Sequence, residues 1–422
     1  MFILYDLIFL IITIVYLPIY LLRGKFHHGF LSRLGFMPRG LKLSQPIWVH
    51  TVSVGEAQAI KGLVEELRNA YPGKQFVFST VTQTGNQIVK GIAKEGDFIT
   101  YLPLDFSFIV SRVMKQINPS LFIIAETEIW PNLIRCLYKR KTPVVVVNGR
   151  ISDASFSGYL TIKFLIRPIL RKITFFCAQS SLDAQRLMRL GLTQAKIAVT
   201  GNMKFDQKAQ TYNFDAAHLA LGEKEQLLVC GSTHYPEEEI ILEAYKEILE
   251  EFSGLKLLIA PRHPERAPEI ETIISRSGFR PVRISGLSAE CKHCIPRPVF
   301  ILDTIGQLVN FYALADVVFI GGSLIKKGGH NILEPAVLGK PILFGPYMFN
   351  FRDISELFLE NNAAIMVQDR AGLKNKLLSL LKSPAEMASL GKRAKELMRQ
   401  NEGATLRSAQ YIRKIIAREA PL

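Results

Sequence analysis

The sequence predicts an α/β fold in which two doubly wound domains follow one another along the chain. Three observations support this prediction. The chain has 422 residues, which is too long for one ordinary hydrophobic core. Beyond the N-terminal region, short runs of β-branched and aromatic residues alternate with helical patterns, as is typical of parallel sheets covered by helices. A polar stretch at residues 213–225 interrupts this alternation, which then resumes.

The first domain is predicted at residues 26–212, with buried strands in the runs IWVHTVSV, FVFSTVT, LFIIAETE, VVVVNG and FFCAQS. Residues 213–225 are the predicted linker. The second domain is predicted at 226–383, with strands in QLLVCGST, LKLLIAPR, PVFILD, DVVFIGG, PILFGP and AAIMVQD. A basic helical segment with a solvated face is predicted at residues 384–422. Ligands bind beyond the carboxyl ends of the strands in such sheets, so the residues after each run are the candidates for a site.

A membrane anchor is predicted at residues 1–25. The stretch from Leu7 to Leu22 carries no charge, and Arg23, Lys25 and further basic residues follow it. Its length fits a tilted single pass or a deeply inserted helix, and a buried core helix is the alternative. Because basic residues mark the cytoplasmic side of a membrane segment, we expect the rest of the chain in the cytoplasm.

The net charge of +15 predicts an anionic partner. No zinc-finger spacing and no aromatic RNA-binding signature occurs, so a membrane surface or a phosphorylated substrate is favoured over nucleic acid. The five cysteines show no disulfide pattern, which is typical of a reducing compartment. Cys291 and Cys294 form a single CxxC without the second pair that a zinc site needs, so no metal site is predicted.

Three strand ends in the second half carry groups that suit a phosphate. Hydroxyls follow one strand, basic side chains follow the next, and a glycine-lined stretch that opens a helix follows a third. The residues are Ser232 and Thr233, Arg262 and His263, and the stretch Gly322 to Glu334. The last stretch also fits an ordinary turn with a capped helix. No P-loop sequence is present, which excludes a P-loop nucleotide site. The GxGxxG fingerprint is also absent, which argues against NAD as a ligand.

Carboxylates mark two strand ends in the first half. Glu56 begins a helix, either as an acid stabilised by the helix dipole or as a general base. Glu126 and Glu128 are separated by one residue and need cations or a shared proton. Arg150, after the next strand, is a candidate cation for them. A structural network and a substrate site remain open as alternatives.

A basic stripe occurs in GYLTIKFLIRPILRKI. Lys163, Arg167 and Arg171 are spaced by four residues beside large apolar side chains, and Pro168 is expected to bend the helix. This pattern fits contact with a membrane surface, with a core helix and solvated face as the alternative.

Eight motifs occur in a fixed order: HTVSVGE, ETEIWPNLI, NGRISDASFSGY, GNMKFD, GSTH, APRHPER, GGSLIKKGGHNILEPA and GPYMFNF. Together they resemble the 3-deoxy-D-manno-octulosonic acid (Kdo) transferases of lipopolysaccharide biosynthesis, over essentially the whole chain. The resemblance implies a GT-B fold, the donor CMP-Kdo, a lipid A precursor as acceptor and the inner membrane as location. It also implies inversion at the anomeric centre, without a metal or other cofactor.

The resemblance assigns roles residue by residue. Glu56 matches the general base, and Glu128 or Glu126 matches a second essential acid. The positions that match donor-nucleotide contacts are Ser232, Thr233, Arg262, His263, Gly322, Asn331 and Glu334. Candidate substrate contacts are Ser53, Gly55, Arg150, Lys204 and Asn350. A sugar-nucleotide epimerase and a non-catalytic lipid-binding protein are the rival hypotheses.

Overall fold

The computed structural model describes residues 5–11, 13–15, 29–208, 222, 225–286 and 297–419. The chain divides into two compact units. The first comprises the residues up to Asp206 together with those from Asn401 onward, and the second comprises Gln207–Gln400. Each unit contains one seven-stranded parallel sheet. The predicted α/β fold with two doubly wound sheets is confirmed.

The strands of the first unit are β1 Ile47–His50, β2 Phe76–Thr80, β3 Phe98–Tyr101, β4 Leu121–Ala125, β5 Val144–Gly149, β6 Phe175–Ala178 and β7 Ile197–Val199. Their order is β3-β2-β1-β4-β5-β6-β7. The helices among its described residues include Phe30–Arg33, Val54–Ala59, Lys61–Ala70, Gln83–Lys90, Ser107–Ile117, Pro131–Lys139, Asp153–Thr161, Lys163–Leu170, Ser181–Leu190 and Ala404–Glu419. Every residue of β1, β2, β4 and β5 is buried, which explains their unbroken apolar runs.

The strands of the second unit are β8 Gln226–Thr233, β9 Leu255–Pro261, β10 Arg280–Arg283, β11 Pro298–Ile301, β12 Val317–Ile320, β13 Ile342–Phe344 and β14 Ile365–Met366. Their order is β10-β11-β9-β8-β12-β13-β14. The helices among its described residues are Glu237–Glu251, Ala267–Arg276, Leu308–Leu314, Leu333–Val337, Arg352–Glu360, Arg370–Leu381 and Pro384–Asn401.

The strand order reverses once in each sheet, between β1 and β4 in the first and between β8 and β12 in the second. Helices lead away in opposite directions at such a point and leave a crevice beyond the carboxyl ends of the two strands. Glu56 follows β1 and Glu126 follows β4. Ser232 is the last residue but one of β8, and Gly322 follows β12. The candidate residues of each unit therefore lie at its switch point.

The C-terminal region is divided differently from the expected segment 384–422. The helix Pro384–Asn401 belongs to the second unit, whereas Ala404–Glu419 belongs to the first. The carboxylate of Asp206 accepts the backbone N–H groups of Gly403 and Thr405, each at 2.6 Å. The ring of Tyr411 stacks on Phe175 with centroids 4.7 Å apart. This last helix returns to the first unit because its apolar face completes the core there.

The predicted anchor is described only in part. Residues 5–11 and 13–15 are helical. Tyr5 donates its hydroxyl to Asp105 at 3.0 Å, and Asn132 Nδ2 donates to Asp6 at 2.7 Å. Within the described ranges, no helix has both the length and the apolarity needed to cross a bilayer. The remainder of the predicted anchor, most of the predicted linker, and Cys291 and Cys294 lie outside the described residues.

Candidate active site

Glu56 lies in the first turn of the helix Val54–Ala59, which Ser53 caps. Its side chain accepts the Val52 N–H at 2.7 Å and the Ser53 hydroxyl at 3.0 Å, and Ser53 Oγ accepts the Glu56 N–H at 3.3 Å. Only 8% of the residue is exposed. This reciprocal capping is the structural role expected of a helix N-terminal acid, and it also fixes the position of the carboxylate.

The pKa of Glu56 decides whether this carboxylate can act as a base near neutrality. Burial raises the pKa to about 7, against the lowering effect of the hydrogen bonds from Val52 and Ser53. The charges of Glu126 and Glu128 raise it further. Burial therefore outweighs the local hydrogen bonds. A carboxyl group with this pKa is suited to general acid–base work at neutral pH.

Glu126 is the first residue after β4 and has a left-handed backbone, with φ of 57°. Its carboxylate contacts Lys204 Nζ at 3.3 Å. Lys204 lies in a 3₁₀ turn, Met203–Asp206, that comes after β7. Sequence reasoning proposed Arg150 as a cation for these acids. In the structure Lys204 pairs with Glu126, and Arg150 lies half-buried directly after β5.

Glu128 has different partners, so the two acids are satisfied separately. Trp130 Nε1 donates to Glu128 Oε2 at 2.8 Å, and His50 Nε2 lies 3.4 Å from the same oxygen. His50 is completely buried at the end of β1. Sequence reasoning missed His50. Its place in HTVSVGE, at the end of the strand that precedes Glu56, was the available signal.

A chain of hydrogen bonds explains how His50 is oriented. Trp48 Nε1 donates to Ser79 Oγ at 2.8 Å, and this oxygen lies 3.0 Å from His50 Nδ1. Nδ1 also lies 3.0 Å from the backbone oxygen of Ser79, so both ring nitrogens of His50 have oxygen partners. These contacts hold the His50 ring in place, with Nε2 directed at the Glu128 carboxylate.

In the second unit, the end of β8 is irregular. Ser232 has φ of 59°, and the pairing of β8 with β9 shifts between Gly231 and Thr233. Thr233 is fully buried and donates its hydroxyl to Glu238 at 2.9 Å, so that hydroxyl is already engaged within the protein. Arg266 Nη1 donates to the same Glu238 oxygen at 2.8 Å.

Glu237 connects the two loops at this switch point. Its fully buried carboxylate accepts backbone N–H groups from the loop after β12 and from the residue after β8. The donors are Gly322 at 2.5 Å, Ser323 and Leu324 at 2.9 Å, and His234 at 3.2 Å. Burial nevertheless raises the pKa of Glu237, with these hydrogen bonds lowering it. The N–H of Gly322 is therefore directed at the protein's own carboxylate.

The glycines of the loop after β12 are required by close packing. Gly328 and Gly329 have φ of 97° and 69°, and a Cβ on Gly329 would lie 2.1 Å from Met348 Sδ. Asn350 donates its backbone N–H to Gly328 O at 3.0 Å and its side-chain amide to Lys327 O at 3.1 Å. Asn350 therefore ties the GPYMFNF loop to the glycine loop.

The helix of this loop begins later than the sequence suggested. It runs from Leu333 to Val337, so it begins only at the end of the predicted stretch Gly322 to Glu334. Asn331 Oδ1 accepts the Leu333 N–H, and Asn331 Nδ2 donates to Glu334 at 3.1 Å. Burial raises the pKa of the Glu334 carboxyl, and the hydrogen bond from Asn331 lowers it.

Two histidines that are not among the predicted donor contacts lie at this switch point. His234 follows β8 and His330 follows the glycine loop, and their Nε2 atoms are 2.9 Å apart. The ring of His263 packs edge-on against His234, with centroids 6.0 Å apart. Arg262 and His263 are exposed after β9. The GSTH and GGHN motifs carried the signal, but spacing alone does not show that the two histidines meet.

The predicted basic stripe lies elsewhere on the first unit. Its helix is interrupted at Ile162, and Pro168 lies inside the second part, Lys163–Leu170. Phe164 is 75% exposed. A surface cavity of about 490 Å³ is lined by Tyr138, Phe164, Arg167, Pro168, Arg171 and Lys172. Lys163 is half-buried and is not among the lining residues.

Comparison with known proteins identifies the family. A family model described as 3-deoxy-D-manno-octulosonic-acid transferase matches residues 28–207. A 3-deoxy-D-manno-octulosonic acid transferase of Haemophilus influenzae is 33% identical over 378 residues, covering 89% of this chain and 88% of the relative. This chain belongs to the Kdo transferase family. The family predicted from the eight motifs is confirmed, and so is its class of enzyme, a glycosyltransferase.

A further relative agrees with this Kdo transferase assignment, and a solved structure shows the same fold. A Chlamydophila psittaci enzyme of the same name is 30% identical over 397 residues, covering 92% of this chain and 90% of that one. A putative UDP-N-acetylglucosamine 2-epimerase structure from Listeria monocytogenes has a TM-score of 0.57 at 15% identity, covering 87% of this chain and 95% of that one. At that identity the likeness shows a GT-B-like fold and does not support the epimerase hypothesis.

Proposed function

We propose that this chain transfers Kdo from CMP-Kdo to a lipid A precursor with inversion, using Glu56 as the general base. The observation that carries the proposal is the buried Glu56 carboxyl at the switch point of the first sheet, whose pKa is raised to about 7. An acceptor hydroxyl loses its proton to Glu56 Oε as its oxygen attacks the anomeric carbon of Kdo. General-base assistance of this kind contributes about 10²–10⁴-fold in rate.

The other two carboxylates support this step by their charge. Glu128 accepts a hydrogen bond from Trp130 and lies beside His50 Nε2, and Glu126 is paired with Lys204. Negative charge near an oxocarbenium-like centre stabilises the positive charge that develops there. Ser53 and Gly55 flank Glu56 and are the proposed contacts of the acceptor. Arg150 lies directly after β5, the strand next to β4, and is a further proposed contact of the acceptor.

The second unit is the proposed binding site for CMP-Kdo. Bond cleavage leaves the electron pair of the anomeric C–O bond on the CMP phosphate, which gains charge. The cations available at the switch point, Arg262 and Lys327, stabilise that charge. Glu334, near Asn331, is positioned to accept ribose hydroxyls. Ser232 is half-exposed in a left-handed conformation that brings it to the end of β8. No metal ion is part of the proposed reaction.

Contact with the inner membrane, from the cytoplasmic side, is also proposed. It is supported by the exposed apolar side chains Leu7, Ile8, Leu10, Ile11, Ile14 and Val15 on the N-terminal helix. It is further supported by Phe164 beside Arg167 and Arg171, which together offer an apolar anchor and charges for phospholipid headgroups.

A transfer assay tests the proposed reaction. Detergent-solubilised protein would be incubated with CMP-Kdo generated in situ and a tetraacyl lipid A precursor, with a chelator in every tube, and the lipid read by mass spectrometry. Wild type should add Kdo-sized mass increments, and Glu56→Gln should reduce the rate by at least about 100-fold. Glu65→Gln, an exposed acid on the following helix, is the matched control and should retain the wild-type rate.

Two outcomes would contradict the proposal. If folded wild type adds no Kdo, the donor and acceptor are wrong. If Glu56→Gln keeps full activity, the base is another residue. Binding of a UDP-sugar in place of CMP would favour the epimerase hypothesis, and lipid binding without any turnover would favour a non-catalytic protein.

A further inference from the structure

His234 and His330 meet edge to edge in the second unit. Their Nε2 atoms are 2.9 Å apart, their ring planes differ by 12°, and their centroids are 5.2 Å apart. In this geometry the Nε2–H bond of one ring lies in the plane of the other ring and points at the lone pair on that ring's Nε2. The contact joins the residue after β8 to the loop after β12. It therefore bridges the two strands at which the sheet order reverses.

The hydrogen bond fixes how many protons the histidine pair can hold. One Nε2 carries the shared proton and the other accepts it, so the unprotonated pair contains two neutral rings in opposite tautomers. A further proton can add at Nδ1 of the donating ring, and the hydrogen bond is then charge-assisted and stronger. A second added proton would place two N–H groups against each other. The pair can thus take one positive charge without breaking.

The surroundings keep the free pair neutral. Burial is the first cause that lowers the pKa of each histidine to about 4, and neighbouring cations lower it further. The groups of the adjoining loops that lower these pKa values are Lys327, Arg262, Arg266 and His263. The carboxylate of Glu237 is already engaged by the backbone N–H of His234 and by the loop after β12. An anion bound beside these cations would remove the repulsion that keeps the proton away.

Gly322 shows that the pair is close-packed against the backbone. Its φ is 67°, and a Cβ there would lie 3.1 Å from the His330 ring and 3.4 Å from the His234 ring. Both histidines are nevertheless half-exposed, so a proton from solvent has access to them. The arrangement is rigid enough to hold the hydrogen bond and open enough to titrate.

We propose that the pair of His234 and His330 takes up one proton from solvent when the phosphodiester of the donor binds, and returns it when CMP leaves. The proton adds at Nδ1 of the donating ring. The electron pair of the cleaved C–O bond remains on the phosphate, and the charged pair stabilises it. This inference rests on the proposed donor, because it requires a phosphodiester at the second unit's switch point.

Calorimetry of binding tests the inference without turnover. The probe is the methyl phosphodiester of cytidine 5′-monophosphate, whose single phosphate charge does not titrate near neutrality. Its binding heat to the full-length protein would be measured at pH 6 in buffers of different ionisation enthalpy. The slope of the binding enthalpy against the ionisation enthalpy of the buffer gives the number of protons taken up per ester bound. We expect on the order of half a proton or more for wild type. The affinity should also fall as pH rises from 6 to 8.

Variants separate the pair from other groups. His330→Gln and His234→Gln keep a hydrogen-bonding side chain that cannot be protonated, and each should bind the ester more weakly with uptake near zero. Glu239→Gln, at an exposed position of the same unit, changes a titratable group outside the pair and should preserve the uptake. Measuring both glutamine variants separates loss of the histidine pair from a local folding defect in one of them. Thermal unfolding shows whether each variant is folded.

The results that would contradict the histidine inference differ from the result that would contradict the donor assignment. Binding by wild type without proton uptake, or uptake that persists in both glutamine variants, would overturn the histidine inference alone. Failure of wild type to bind either the ester or CMP at any pH would overturn the donor assignment and this inference with it.

Discussion

The carboxylate of Glu237 accepts the backbone N–H of Leu324 at 2.9 Å, from a loop 87 residues further along the chain. It also accepts the N–H of His234, so one buried charge holds both loops of the second switch point. Arrays of backbone N–H groups of this kind often bind a ligand's anion. Here they bind a side chain, which shapes the loops before any ligand arrives.

Replacing Glu237 by Gln should destabilise the protein. One oxygen that accepts backbone N–H groups becomes an NH₂ that faces them, and unsatisfied buried donors cost about 1–3 kcal/mol each. Chemical denaturation monitored by circular dichroism would measure the free energy of unfolding. Glu239→Gln, on an exposed position of the same helix, is the control and should leave the stability unchanged. Equal stability of Glu237→Gln and wild type would show that the N–H groups have other partners.

The pH dependence of kcat/KM should report Glu56 in the free enzyme. The base must be ionised to act, and burial raises its pKa to about 7. Activity should therefore rise with pH through about 7 and level off above it. Steady-state transfer rates between pH 5.5 and 8.5, at subsaturating acceptor, would show this limb. A profile that is flat down to pH 5.5 would mean that the base has an ordinary carboxyl pKa.

Glu56→Gln should increase stability at alkaline pH. The folded-state pKa lies above the ordinary value of 4.5, so the folded protein retains a proton that the unfolded chain loses as pH rises from 4.5 to 7. The ionised group thus destabilises the fold above pH 7, by about 1–3 kcal/mol. The gain from Glu56→Gln should be present at pH 8 and shrink towards pH 5. Denaturation at both pH values measures the gain in the free energy of unfolding. A gain that does not change with pH would show that ionisation of Glu56 is not its cause.

Lys204→Met should raise the pKa of Glu56. The ammonium group lies 3.3 Å from Glu126 Oε1, and Glu126 is one of the charges that raise the pKa of Glu56. Without Lys204 the charge of Glu126 is no longer offset, and the midpoint of the pH profile should move upward by roughly half a pH unit. Lys204→Arg keeps the charge and should leave the midpoint in place. An unchanged midpoint in Lys204→Met would show that Glu126 is offset by another cation.

Asp206→Asn should loosen the last helix from the first unit. Both carboxylate oxygens accept N–H groups at its start, from Gly403 and Thr405, and the amide can replace only one of them. The loss should be about 1–2 kcal/mol. Hydrogen exchange of the helix Ala404–Glu419 would show faster exchange in this variant. Glu402→Gln, exposed in the same connection, should exchange like wild type.

The strands that sequence reasoning found and those it missed differ in burial. The central strands are buried along their whole length, so they appear as unbroken apolar runs. The missed strands β3, β7 and β10 are edge strands that are partly exposed. Their short, mixed sequences do not stand out from loops. The return of the last helix to the first unit was missed because a solvated basic face hides an apolar stripe.

The sequence by itself determined the sheet class, the strand ends at which the candidate residues lie, and the family, because buried strands and fixed motifs are local patterns. Only the tertiary structure decided how the candidate residues are used. It showed that Thr233 and Gly322 are engaged by Glu238 and Glu237, that Lys204 pairs with Glu126, and that His234 meets His330. These pairings join residues from separate strands and loops. Their protonation depends on burial, which no local pattern records.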